Sequence, residues 1–216
     1  MSQLEYLIAL VSIIVGLGLT DLAQSLRELV RPSRSVRWHW LPLAWAGITF
    51  TVVLQIWWSS FRALQDPMFS RAVAFFPVLL GFLVLYLICA FALPDPEWEQ
   101  RRRRRSERTP SGPHTPNDAS LDLEAFYFSS AHRRWFFGAF IGLLVLGQVF
   151  NGATWIAADP AVRTARLVQN IGMNLGTAAL LGGLIATDRR WVHVAITLLI
   201  AGATTYTLVA GLPALG

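Results

Sequence analysis

Six stretches of the chain, residues 4–22, 41–61, 72–93, 135–158, 167–186 and 191–212, run for about twenty apolar residues with no charge through their middles. A helix needs about 20 such residues to cross the hydrocarbon of a bilayer. In lipid the backbone must satisfy its own N–H and C=O groups, which restricts a spanning chain to helices or closed barrels. Runs this long exclude a barrel, whose strands need only about ten residues each. With 54% hydrophobic and 14% charged residues and a mean hydropathy of +0.48, the chain does not read as a soluble domain. The expectation is an all-α, polytopic integral membrane bundle of six transmembrane helices forming one domain over residues 1–216. The first run lacks a basic leader and a cleavage site, so it reads as a retained helix rather than a signal peptide.

Arginine placement predicts the direction of threading, because cytoplasmic loops are enriched in basic residues near the helix ends. All 18 basic residues are arginine, and fourteen of them fall in the first, third and fifth loops; only Arg62, Arg71, Arg163 and Arg166 lie on the other side. This places the odd-numbered loops in the cytoplasm and both termini outside. Each helix leaving the cytoplasm also opens on an Arg–Trp pair: Arg37 and Trp38, Arg134 and Trp135, Arg190 and Trp191. Tryptophan sits at headgroup depth while arginine reaches the anionic layer, so these pairs read as interfacial anchors.

The third loop holds the densest charge, with Arg101, Arg102, Arg103, Arg104 and Arg105 in succession. A nucleic-acid-binding arm would bring aromatics for stacking or a folded reading head, whereas this run is followed by TPSGPHTPND, the composition of a flexible linker. Residues 95–119 are therefore expected to be a flexible cytoplasmic loop whose arginines contact anionic lipid headgroups, with no nucleic-acid partner. Residues 120–134 are expected to be an interfacial lead into the fourth span. A protein partner or a second copy of the chain is left open as a further contact of this loop.

Polar side chains within spans are costly unless they pair, so they are expected to face other helices or a wet cavity. In the first span Glu5, Ala9, Ser12, Gly16 and Thr20 fall on one helical stripe, which predicts an inward face. The fifth opposes a glycine face (Gly172, Gly176, Gly183) to a polar one (Asn170, Asn174, Thr177), which predicts a central helix, and the fourth carries a second GxxxG at 138–142. The third has no polar stripe and is expected to be the most lipid-exposed. Counted from the outer ends at about 1.5 Å per residue, Gln55, Asn151 and Asn174 lie about 10 Å deep and Gln148 about 15 Å. With Asn170, Thr204 and Glu5 they form a candidate polar pocket in the outer half of the bundle; interhelical hydrogen bonding is the plainer alternative. Glu5 and Asp21 are about 24 Å apart along their helix, so they form no carboxylate relay.

His39, His132 and His193 map to the cytoplasmic interface with Asp21 and Asp188. No metal-ligand or haem spacing accompanies them, so no metal and no cofactor are expected, and the histidines read as interfacial. The chain has no GxSxG, CxxC or P-loop, and GLGLTD at 16–21 lies in a membrane helix rather than after a strand. An enzyme is not expected.

The segments LEYLIALVSIIVGLGLTDL, VLQIWWSSF and HRRWFFGAF resemble a group of bacterial six-helix inner-membrane proteins of no established activity. The resemblance implies a multi-pass protein of the bacterial inner membrane and assigns no site residues. Two functions fit the residues. One is binding or transport of a small solute or lipid through the outward-facing pocket; the other is a non-catalytic membrane subunit or scaffold meeting a partner through the arginine-rich loop.

Overall fold

The computed structural model describes residues 3–31, 35–64, 69, 71–94, 121–155 and 160–211. The chain is mostly helical. Six long helices coincide with the six apolar runs: α1 (Gln3–Val30), α2 (Trp40–Ala63), α3 (Ala72–Ala92), α5 (Ser130–Trp155), α6 (Pro160–Ala186) and α7 (Arg190–Gly211). Between α3 and α5 lies a short helix, α4 (Leu123–Tyr127). Among the described residues α1, α2, α3 and α7 are long and apolar enough to cross a membrane. Large apolar side chains stand exposed around the bundle, among them Val73, Phe76, Val145, Val168 and Leu198. Apolar exposure on this scale is the outer surface of a membrane protein, since a soluble monomer rarely shows contiguous patches of more than a few hundred Å².

One end of the bundle is braced by structure outside the long helices. Two-residue strands β1 (Val36–Arg37) and β2 (Leu121–Asp122) pair in parallel, Val36 with Leu121 and Arg37 with Asp122. Asp122 then caps α4, its Oδ1 accepting from the Glu124 and Ala125 N–H groups at 3.0 Å. Such a cap satisfies donors that every helix start leaves free. Arg37 forms an ion pair with the same Asp122 at 3.1 Å, and Arg190 pairs with Glu124. We call this the strand end. Helices α2, α5 and α7 begin there and α1, α3 and α6 finish there, so residues 3 and 211 lie at the opposite, far end.

The packing corrects four expectations. The stripe of α1 faces outward except at Ser12: Glu5, Ala9, Gly16 and Thr20 are exposed, Ser12 is half-buried and accepts from the Trp57 indole N–H of α2 at 3.3 Å, and the helix buries Val11, Val15, Leu22 and Leu29. The Thr20 hydroxyl donates to the Gly16 carbonyl at 2.7 Å, so its polarity is satisfied within the helix and exerts no pull inward. Helix α3, expected to be the most lipid-exposed, packs against α1, α2 and α5 and buries Phe75, Val78, Phe82, Leu85, Ile88 and Cys89. Helix α6, expected to be central, packs mainly on α5 and exposes Val168, Ile171, Met173 and Leu175.

Neither GxxxG provides a close helix approach, because a methyl added at Gly138, Gly142, Gly172 or Gly176 would meet nothing within 4 Å. The tight crossing is at Gly18, where a Cβ would stand 3.4 Å from Cys89 Sγ and 3.5 Å from Tyr86 Cα. One physical reason covers all four cases. Between helices in lipid, van der Waals fit drives association, and a purely apolar face can meet that requirement as well as a polar one.

Candidate functional site

Helix α4 enters the strand end as a plug. Leu123 and Tyr127 are fully buried and Phe126 nearly so. Tyr127 meets Phe137 and His193 edge to face, at ring separations of 6.2 Å and 5.3 Å. Its hydroxyl lies 3.0 Å from His193 Nδ1, and His193 Nε2 lies 2.9 Å from the Thr187 carbonyl. A carbonyl only accepts, so in the neutral ring Nε2 carries the proton, Nδ1 offers its lone pair and the Tyr127 hydroxyl donates. Burial pushes the Tyr127 phenol up to about 12, against hydrogen bonds from Thr197 and Trp45 and the Arg133 charge, which pull it down. Arg133, buried beside this chain, reaches the Thr187 carbonyl and the Asp188 carboxylate.

Trp45 joins this knot to the interior of the bundle. It is 1% exposed, its indole N–H donates to Thr197 Oγ1 at 3.0 Å, and Phe136, Phe137 and Phe140 surround its ring at 4.9–5.7 Å. Edge-on aromatic contacts of this kind add about 0.5–1.5 kcal/mol each beyond area burial. A tryptophan inside an apolar run was the available sequence signal for this site, because its N–H needs a partner when buried.

On the far side of Trp45 the five helices α2, α3, α5, α6 and α7 line an open-sided cavity of about 360 Å³. Its walls are mostly apolar, with Phe82, Phe140 and Leu181 deep and Pro77 on α3. Gly81 and Gly147 also line it, and a Cβ at either would meet nothing within 4 Å. The polar groups on its wall are Ser59, Ser60, Asn174, Thr177 and Thr204. The cavity lies within the range of about 300–1,000 Å³ typical of small-molecule sites, which combine apolar walls with a few placed polar groups.

The residues of the predicted pocket separate into two interhelical clusters and one outlier. Gln55 Nε2 donates to the Thr204 carbonyl at 2.8 Å and to Thr207 Oγ1 at 3.1 Å, tying α2 to α7. Asn170 Oδ1 accepts from Gln148 Nε2 at 2.7 Å and from Asn174 Nδ2 at 2.6 Å, tying α5 to α6. Only Asn174 and Thr204 also line the cavity. Glu5 is exposed on α1, a helix that contributes nothing to the cavity wall. The side chain of Asn151 and the run Arg101, Arg102, Arg103, Arg104 and Arg105 lie outside the described residues.

The Arg–Trp anchors all fall at the strand end. Trp38, Trp135 and Trp191 are 55–69% exposed, and Arg37 and Arg190 are exposed but paired with Asp122 and Glu124. The three histidines share this end and part in role. His193 serves the knot. His39 accepts from the Leu41 N–H at 3.3 Å and meets Phe128 edge-on. His132 stacks on Phe136 at 5.1 Å and 14°, and burial pushes its pKa down to about 3, so the ring is neutral. Among the described residues no three His, Cys, Asp or Glu side chains gather as a metal would require.

Beside His132 opens a second concavity of about 660 Å³, between the last turns of α1, the end of α3, α4 and the start of α5. Compared with known proteins, the chain matches no family model, no curated sequence and no solved structure.

Proposed function

We propose that the protein binds a small, largely apolar molecule bearing one or two hydrogen-bonding groups in the cavity beyond Trp45, and that binding or passage of such a ligand is its activity. The cavity itself carries this reading: about 360 Å³ between five helices, with aromatic depth and the Asn174, Thr177 and Thr204 side chains on its wall. The absence of catalytic motifs from the sequence favours binding or transport over catalysis. The lining favours a lipid-like ligand over a strongly polar solute, because most of what it would touch is hydrocarbon or aromatic ring.

The setting belongs to the same proposal. The chain threads a bacterial inner membrane six times, with the strand end in the cytoplasm and the far end outside. The arginine distribution and the shared end of the three Arg–Trp pairs support this direction, and the resemblance noted in the sequence supports the bacterial setting. The cavity then opens its polar groups toward the outer half of the bilayer.

Extraction into detergent and native mass spectrometry test the ligand. A bound amphiphile should survive extraction of the native protein and be lost from Gly81→Phe, whose new ring starts into open space and fills the cavity. A ligand retained undiminished by Gly81→Phe, or none retained by either protein, would sink the reading.

A further inference from the structure

The concavity at the strand end is chemically unlike the cavity beyond Trp45. Asp21, Gln24, Ser25, Arg27 and Glu28 on α1 line one wall; Ala90 and Phe91 on α3 and Trp135 on α5 line the others. His132 also faces it and is only 8% exposed. Its ring is held by aromatic neighbours, Phe126 and Phe136 among them. Its hydrogen bond to Ser129 is made by the backbone N–H, and among the described residues its ring nitrogens have no partner. They are not among the side-chain atoms buried without a partner, which among the described residues are Thr49 Oγ1 and Arg133 Nε, so they stay open to whatever occupies the groove.

Asp21 is in the same position, half-buried and without a hydrogen bond or ion pair among the described residues. The nearby Glu28, by contrast, is taken by Arg31 at 3.2 Å and Arg27 at 3.5 Å.

What fits is set by these vacant groups. The Asp21 carboxylate and the neutral His132 imidazole offer acceptors to a compact cation, while Arg27 on the same wall, paired with Glu28, stands where an attached phosphate would be met. Among the described residues no three His, Cys, Asp or Glu side chains gather here as a divalent transition metal would require. A primary ammonium carries three N–H donors and one charge, and the carbon chain behind it would lie along Phe91 and Trp135, whose ring face also attracts cations. We propose that this groove binds a primary ammonium group, with the Asp21 carboxylate and a ring nitrogen of His132 as two acceptors and Gln24 or Ser25 as the third. The group belongs either to an aminophospholipid headgroup or to a free phosphorylated amine.

The test uses the full-length protein in detergent, with binding read by native mass spectrometry. Phosphatidylethanolamine and phosphatidylcholine of the same acyl chains differ in whether the nitrogen can donate. One charged hydrogen bond predicts about a tenfold preference for the former. Asp21→Asn and His132→Phe should each erase that preference; binding of phosphatidylglycerol, which lacks the amine, should stay unchanged in both, showing that the variants are folded.

Soluble O-phosphoethanolamine separates the two sources: its binding, lost in Asp21→Asn, assigns the site to a free amine, and preference confined to the lipid assigns it to the headgroup. Equal affinity for the two lipids together with no binding of the soluble amine overturns the proposal, as does a preference that survives Asp21→Asn. Gly81→Phe should leave the preference intact. If it erases the preference instead, the amine lipid sits in the other cavity and the groove is not its site.

Discussion

The two ends of the bundle are built from the same long helices and differ in what fills the space between them. At the strand end a five-residue helix inserts Leu123, Phe126 and Tyr127, and most of the polar groups that follow it inward are paired, Tyr127 with His193, Trp45 with Thr197 and Arg133 with Asp188, leaving Thr49 Oγ1 and Arg133 Nε without a partner among the described residues. In the far half no such plug enters among the described residues. The amides there bridge helices two at a time, Gln55 to α7 and Gln148 to Asn170, and leave a cavity in the middle. Polar pairing therefore accompanies close packing around Trp45 and borders a void in the far half, while the strand end keeps its own opening to one side of the knot, beside His132. The presence of buried polar residues does not by itself mark a binding site; the filling between the helices does.

That contrast is sharpest at Trp45. Trp45→Ala should cost about 3–5 kcal/mol, the range for removing a large core aromatic, read as loss of thermal or denaturant stability in detergent. A change below about 1 kcal/mol would mean that the knot is not the packed end. Tyr127→Phe keeps the ring and removes the hydroxyl, leaving His193 Nδ1 without its donor. The expected cost is about 1–3 kcal/mol by the same measurement, and a neutral result would break the polar half of the account.

The third expectation concerns pH. The His132 pKa is lowered from 6.5 to about 3 by burial, so the unfolded chain binds this proton more readily than the folded one. The stabilisation is complete above about pH 6.5 and is lost as pH falls toward 3, by at most about 1.4 kcal/mol per pH unit for one proton. Stability of the native protein should therefore decline more steeply over this window than that of His132→Phe. Parallel curves would show that the ring is not held neutral.

In the far half the effects should be smaller. Gln148→Leu removes one interhelical hydrogen bond, worth about 0.6 kcal/mol on average in a membrane. A loss as large as that of Trp45→Ala would erase the difference between the ends. The smallest effect on stability is expected for Arg101–Arg105→Gln, within about 0.5 kcal/mol if the run is the solvated loop its sequence predicts. A peptide of residues 99–117 should nonetheless bind anionic vesicles through these arginines, at about 1 kcal/mol each near the surface, and release them as salt rises. Binding to neutral vesicles would show that charge is not the cause.

Much of the fold was legible along the chain, and much of the site was not. The apolar runs located all six long helices, although α1 continues to Val30 and α6 starts at Pro160, past the apolar stretches at 22 and 167. Helical hydrogen bonding does not stop where hydrophobicity does. The Arg–Trp pairs were found together at one end. The stripe of α1 met another helix only at Ser12, for a nameable reason: small residues and a back-bonded threonine are as comfortable facing outward as inward. Depth matched the far-half amides but could not pair them, because depth is one coordinate and a hydrogen bond also needs azimuth. Most of the cavity wall is leucine, isoleucine, valine and phenylalanine, and nothing local distinguishes such a residue facing a void from one facing lipid.

Hydropathy and charge sufficed to establish where the long helices lie, how they alternate and which ends gather arginine and tryptophan, because each of these follows from the local free energy of a residue in water, interface or hydrocarbon. Only the tertiary structure settled that α3 is packed on three sides while α6 lies at the edge, that α4 closes one end, and that Asp21 and His132, far apart in sequence, share a groove. In water the hydrophobic effect sorts inside from outside and leaves its pattern in the sequence. In a helix surrounded by lipid the two environments are almost equally apolar, so the choice between them passes to shape, which no single residue records.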